Sequence, residues 1–192
     1  PEKTLYDHHI LILNGYEFNT PSSHRFNQGF SAVLQSSGAG TINQHYDSLG
    51  LGHNSGLEYR KLKMQAVSLR HRKCKIDLII TLHTEGFKFL LDMGPSFFPA
   101  APVIALMLPQ GFKLPETDRR IIPHIIIPDL NGTLEIGLKL VPKADRVYVV
   151  NGTHPMDRWL EKIARRDFKK REGRLDFYYL SDLPLEKILA TV

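Results

Sequence analysis

The chain has 192 residues, of which 42% are hydrophobic, a composition typical of globular proteins and not of disordered or fibrous ones. The single cysteine, Cys74, excludes an intramolecular disulfide and a four-cysteine zinc site. The formal net charge is +5, and no apolar run approaches the roughly 20 residues of a membrane-spanning helix, so we expect a globular protein with no membrane span.

The first 56 residues are expected to form an N-terminal extension. An apolar run at residues 10–13 is followed by Asn14 and Gly15 and then by Tyr16. An Asn-Gly pair between apolar runs indicates a β-hairpin, which we place at residues 8–18. Residues 19–56 are rich in Ser, Gly, Asn and His, which is typical of a long flexible loop, apart from a short helix predicted at 26–34.

Residues 57–192 are expected to form the main domain, which begins with four strands. Apolar and polar residues alternate at 61–66, 75–82 and 87–93, and the fourth candidate is the apolar run 103–108. Because the connections are short, the pattern favours a four-stranded antiparallel meander and an α+β fold.

The C-terminal part of this domain is expected to be helical. The proline-rich stretch 109–128 predicts an irregular crossing. Thr153 and Pro155 are typical of a helix start, and an apolar stripe continues to Phe168. A shorter helix is predicted over residues 184–190.

The middle of the chain resembles the ubiquitin-conjugating enzyme fold. That family has an aromatic-Pro-x-x-Pro element between two strands, which Phe98, Pro99 and Pro102 match, and a later proline, turn and nucleophile segment. The second segment is matched in outline by Pro128, Asp129, Asn131, Gly132 and Glu135. The resemblance covers about residues 57–140.

The resemblance implies a protein without catalytic activity. It places Glu135 where the enzymes have their cysteine nucleophile and Asp129 where they have an oxyanion-stabilising Asn. A carboxylate at either position repels developing negative charge. The chain is therefore identified as similar to the inactive ubiquitin-conjugating enzyme variants or to the related RWD domains, with the function of a protein-binding adaptor or scaffold in a larger complex. Ubiquitin, or a subunit of that complex, is the expected partner.

Two surfaces are candidates for binding. The resemblance implies contact through the turn between the first two strands, at Leu69, Arg70, His71 and Arg72. The rival surface is the basic helix face of Arg165, Arg166, Lys169 and Lys170. The stretches 60–75 and 158–174 carry seven and eight Lys and Arg residues, so the alternative is a basic nucleic-acid-binding protein.

We expect no catalytic residues, no cofactor and no metal site. The motifs for phosphate binding, dinucleotide binding and serine hydrolysis are absent, and the histidines lack paired-ligand spacing. Cys74 is flanked by cations that favour a thiolate, but a packing cysteine is the simpler interpretation. The apolar run at 10–13 is too short for a signal-peptide core, which predicts a cytoplasmic or nuclear location.

Overall fold

The computed structural model describes residues 7–17, 19–38, 40–52, 54 and 56–192. It divides into two compact units, Pro1–Ile126 and Ile127–Val192. Among the residues described, no helix is both long and apolar enough to cross a membrane.

The first unit is built on a five-stranded parallel sheet with the strand order β2-β1-β3-β4-β5. The strands are β1 (His8–Asn14), β2 (Ile42–Ser48), β3 (Leu78–Leu82), β4 (Val103–Pro109) and β5 (Ile121–Ile126). Successive strands are joined by the helices α1 (Pro21–Ser36), α2 (Leu57–His71) and α3 (His83–Asp92), and β4 and β5 by a connection without a helix. The unit is therefore an α/β fold with a doubly wound sheet.

The helices cover both faces of this sheet, and β1 is buried on each side. Leu11 and Leu13 belong to the apolar cluster that includes residues of α2 and α3. Ile10 and Ile12 belong to a second cluster, which Phe26 and Phe30 of α1 join. Burial on both faces explains why β1 is a continuous apolar run without alternation.

The predicted α+β fold with an antiparallel meander is wrong. β1 pairs in parallel with β2 and β3, so no hairpin forms at residues 8–18, and residue 18 itself lies outside the described residues. The segments 61–66 and 87–93 lie in α2 and α3 instead of in strands. β5 runs through the stretch predicted to be irregular, with Pro123 inside the strand.

Other predicted elements are confirmed. Strands at 75–82 and 103–108 appear as β3 and β4, and the short helix at 26–34 is part of α1. The N-terminal residues predicted to be an extension supply β1 and β2, and β1 lies inside the sheet, between β2 and β3.

The second unit contains two parallel strands and three helices. In chain order these are α4 (Leu130–Leu140), β6 (Arg146–Asn151), α5 (Pro155–Phe168), a 3-10 turn (Lys169–Arg171), β7 (Asp176–Ser181) and α6 (Leu185–Thr191). The core includes Leu134, Ala164 and Phe168. The two predicted C-terminal helices are confirmed as α5 and α6, although His154 and not Thr153 caps α5, with its Nδ1 accepting from the Met156 amide at 3.3 Å.

Candidate ligand-binding site

The candidate site lies at the carboxyl ends of β1 and β3, which are neighbours in the sheet. The chain leaves β1 toward α1 on one face and leaves β3 toward α3 on the other, as the two apolar clusters show. A crevice opens where the connections of adjacent parallel strands depart in opposite directions, and ligands of doubly wound proteins bind at that crevice.

Two glycines allow the backbones to approach closely at this point. The Gly15 amide donates to the Leu82 carbonyl at 3.1 Å. A Cβ on Gly86 would lie 2.6 Å from the Leu13 carbonyl oxygen, and a Cβ on Gly15 would lie 2.7 Å from the Gly86 nitrogen. No real Cβ contact is that short, so glycine is required for the loop after β1 to touch the first turn of α3.

Asn14 holds the loop after β1 in place. Its side chain is fully buried. Nδ2 donates to Ser23 Oγ at 2.8 Å and to the Tyr46 hydroxyl at 2.9 Å, and Oδ1 accepts from the Tyr16 amide at 3.1 Å. Because each hydrogen-bonding group of this amide has a partner, Asn14 orients the loop and is not itself free to bind a ligand.

An aromatic pair, Tyr16 and His83, lies at the centre of the site. The ring centroids are 4.3 Å apart, with the planes tilted by 42°. His83 is only 6% exposed and has a φ of +64°, in the left-handed region that non-glycine residues rarely adopt. Backbone strain of this kind persists where the surrounding structure enforces it, and it is concentrated at ligand-binding sites.

Polar groups surround the aromatic pair. Thr20 caps α1 by accepting from the Ser23 amide at 3.2 Å, and Ser48 Oγ donates to the Tyr16 carbonyl at 2.8 Å. α3 begins at His83, and its N-cap residue, Leu82, makes no side-chain cap hydrogen bond. The site therefore combines two aromatic rings with hydroxyl groups and the N-terminal end of α3.

A cavity of about 560 Å³ lies elsewhere in this unit, near the amino ends of β4 and β5, and is lined in part by Phe87, Val103 and Ile121. Arg119 also lines this cavity, and its guanidinium donates to the Phe97 carbonyl at 2.5 Å and to the Phe98 carbonyl at 3.0 Å. Burial lowers the pKa of Arg119. Arg119 is therefore used to hold the segment before β4, which makes this cavity the weaker candidate.

The structure places the sequence-predicted partner residues in the last turn of α2 and just after it. The turn between two strands does not exist. Leu69 is 63% exposed, Arg70 forms an ion pair with Asp47, His71 is buried and Arg72 is exposed. That these four residues bind a partner stays a prediction, although the turn between strands on which the prediction was based is absent.

The rival basic set lies at the end of α5 and in the 3-10 turn. Arg165 pairs with Glu161 at 2.7 Å and lies over the Tyr179 ring, 3.8 Å from its centroid. Arg166 pairs with Asp167 at 2.7 Å, while Lys169 and Lys170 are exposed. The charges of the two arginines are thus already paired with neighbouring carboxylates. Nucleic-acid binding by this surface stays a prediction.

The residues that carried the family resemblance have local structural roles. Phe98 and Pro99 belong to the segment that Arg119 holds, and the Pro102 carbonyl accepts from the Ile79 amide at 3.0 Å. Asp129, between Pro128 and α4, caps that helix by accepting from the Gly132 amide at 2.8 Å. Asn131 lies in the first turn of α4, and Glu135 pairs with Arg171 at 2.6 Å.

Sequence reasoning missed the candidate site. Asn14 and Gly15 were interpreted as a hairpin turn, and His83 was treated as one histidine among several. One signal could have found it: the uninterrupted apolar run before Asn14 is typical of a buried parallel strand. Ligands of such sheets bind at the carboxyl ends of the strands, so the residues directly after this run were candidates.

Comparison with known proteins identifies the fold but not a family. No family model matches the chain, and no curated protein matches it. Among solved structures it is similar to the ligand-free, open structure of CD0873, a substrate binding protein with adhesive properties from Clostridium difficile. The TM-score is 0.61 at 15% identity, covering 96% of this chain and 60% of that one.

A weaker similarity connects the chain to the C-domain of LpoA (YraM) from Haemophilus influenzae, a regulator of PBP1A. Here the TM-score is 0.42 at 12% identity, covering 97% of this chain and 53% of that one, which is too weak to support an argument. The chain thus spans about 60% of the CD0873 chain. The resemblance to ubiquitin-conjugating enzyme variants and RWD domains is wrong, because the sheet is parallel and a solved structure with a similar fold is a substrate binding protein.

Proposed function

We propose that this chain is a non-catalytic binding protein that holds a small molecule at the carboxyl ends of β1 and β3. The observation that carries the proposal is the contact between Tyr16 and the strained, buried His83 at the crevice of the sheet. The fold similarity to a substrate binding protein supports it, since that fold is used for ligand binding in CD0873.

The groups at the site suggest the chemistry of the ligand. Tyr16 and His83 offer aromatic faces, which favour a planar or aromatic group. The first amides of α3 favour an anionic or hydrogen-bond-accepting group. The proposed ligand is therefore a small polar molecule with a planar part, bound without covalent change.

The site is held ready before a ligand arrives. Asn14 fixes the β1 loop through three hydrogen bonds, and the two glycines fix its contact with α3. A rigid site loses less conformational entropy on binding, which is the physical advantage of such a network.

Thermal-shift screening of the purified chain against amino acids, nucleosides and small sugars tests the proposal, with hits measured by calorimetry. His83→Gly is the decisive variant, because glycine accepts the φ of +64° without strain while the imidazole is removed. We expect His83→Gly to fold and to weaken binding at least 10-fold.

Two matched variants serve as controls. His124→Ala removes an exposed histidine on β5, and Tyr178→Ala removes a tyrosine from the second unit. Both are expected to bind normally. Recovery of the ligand with unchanged mass tests the absence of catalysis, and equal affinity in His83→Gly would contradict the proposed site.

A further inference from the structure

A second group of residues, away from the candidate ligand site, combines two histidines and the only cysteine. His45 lies on β2, on the face that bears Asp47, because side chains two positions apart in a strand share a face. His71 is the last residue of α2, and Cys74 follows three residues later, with its amide donating to the His71 carbonyl at 2.9 Å. One ligand atom from each of the three residues lies within 4.8 Å of the others.

His71 provides the decisive observation. It is only 2% exposed, and its Nε2 lies 2.5 Å from a carboxylate oxygen of the buried Asp47. In the tautomer with the hydrogen on Nε2, this nitrogen donates to the carboxylate oxygen. The other ring nitrogen, Nδ1, is buried and has no hydrogen-bond partner among the described residues. A buried polar atom without a partner is costly unless something binds to it.

This arrangement is the one that metal-binding histidines adopt. Such a histidine donates one ring N–H to a carboxylate, which fixes the tautomer, and binds the metal with the other nitrogen. His71 has the carboxylate partner at Nε2, and one of its ring nitrogens lies within 4.8 Å of a ligand atom of His45 and of the Cys74 sulfur.

His45 is suited to the same role. Its Nε2 is 3.0 Å from His9 Nδ1, which leaves its own Nδ1 for another ligand. Burial lowers the pKa of His45, and the neighbouring rings of His71 and His9 lower it further, although Asp47 acts in the opposite direction.

We propose that His45, His71 and Cys74 bind one transition-metal ion of the zinc class, with Asp47 orienting His71. Two imidazoles and a thiolate are the ligands that zinc prefers over magnesium or calcium. Three protein ligands leave the fourth tetrahedral position to water or to another molecule. The ion would link β2 to the end of α2.

The distances permit this site after a small contraction. Tetrahedral zinc with Zn–N of about 2.05 Å and Zn–S of about 2.3 Å requires ligand atoms roughly 3.3 to 3.6 Å apart. The ligand atoms of the three residues lie within 4.8 Å of one another, so they must close by about 1.5 Å at most. Cys74 lies after the end of α2, half-buried against the apolar cluster of this face of the sheet.

The sequence predicted no metal site because the ligands do not form a local motif. Only His71 and Cys74 are close along the chain, whereas His45 lies on another element. The parallel fold brings these elements together, so the site becomes visible only in three dimensions.

Titration of the purified chain with Zn²⁺ and with Co²⁺ tests this proposal. We expect one ion per chain, and we expect the cobalt form to show a thiolate-to-cobalt charge-transfer band with tetrahedral d–d bands. Cys74→Ser should abolish the charge-transfer band, and both Cys74→Ser and His45→Ala should weaken Zn²⁺ binding at least 10-fold.

Asp47 is tested by a matched pair of variants, since Asp47 also pairs with Arg70. Asp47→Asn should weaken the binding of Zn²⁺ 10- to 100-fold, which is the usual effect of losing a carboxylate that orients a metal ligand. Arg70→Ala breaks the ion pair but keeps the contact with His71, and it should bind zinc normally. His124→Ala controls for binding by exposed histidines.

Two results would overturn the metal site. One is failure of the wild-type chain to bind zinc or cobalt in a 1:1 ratio. The other is cobalt binding without a thiolate band, or with equal affinity in Cys74→Ser and His45→Ala, because the ion would then be bound elsewhere.

Discussion

Replacement of Gly86 by alanine tests whether α3 contacts the end of β1, the contact on which the candidate ligand site depends. Gly86 lies inside α3, where alanine is ordinarily favoured over glycine by about 0.8 to 1 kcal/mol. The added Cβ, however, would lie 2.6 Å from the Leu13 carbonyl oxygen, which is backbone and cannot rotate away. Overpacking of this kind costs about 1 to 3 kcal/mol.

Set against this gain, the cost leaves a net loss, so we expect Gly86→Ala to lower the free energy of unfolding by about 1 kcal/mol, and by about 2 kcal/mol at most. The control is Gly29→Ala in α1, where a Cβ meets nothing within 4 Å. That variant should raise the free energy of unfolding by about 0.4 to 1 kcal/mol. Urea denaturation followed by circular dichroism measures both values. If Gly86→Ala were stabilised as much as Gly29→Ala, the close approach of α3 to β1 would be refuted.

Two further predictions concern hydrogen-bonded groups. Asn14→Ala should lower the free energy of unfolding by about 1 to 3 kcal/mol, because Ser23, Tyr46 and the Tyr16 amide lose a buried partner; an unchanged urea midpoint would contradict the network. Hydrogen bonds from Ser181 and Arg165 hold the pKa of Glu161 below its usual 4.5, so its stabilising effect is present above that pH and is lost as the pH falls through the lower value. In Glu161→Gln, acid unfolding monitored by Trp159 fluorescence should show a weaker pH dependence in that range.

The sequence predicted those elements whose pattern had one interpretation. The run at β4 and the amphipathic stripe of α5 are examples, because one is uniformly apolar and the other repeats at the helical period. Both were placed correctly.

α2 and α3 were assigned as strands for a physical reason. In α2, Leu62 alternates with lysines, yet it is 64% exposed, and the helix buries only Val67 and His71. In α3, Phe87 and Phe89 are both fully buried, although they are two residues apart. Neither helix has a strong apolar stripe at the helical period, so the alternation at a period of two was interpreted as a strand. Parallel strands are connected by helices, and without α2 and α3 the parallel pairing of the strands could not be predicted.

The two proposed sites depend on the alternation of side chains along β2. Tyr46 faces the side of the sheet that α1 covers, where it accepts from Asn14 and supports the ligand loop. Its neighbours His45 and Asp47 point to the other side, toward the end of α2. Successive strand residues face opposite sides of the sheet. A shift of one residue in the pairing of β2 with β1 would therefore turn Tyr46 toward α2, and His45 and Asp47 toward α1. The register of the sheet thus determines both the loop that holds the proposed ligand and the donors that hold the proposed metal ion.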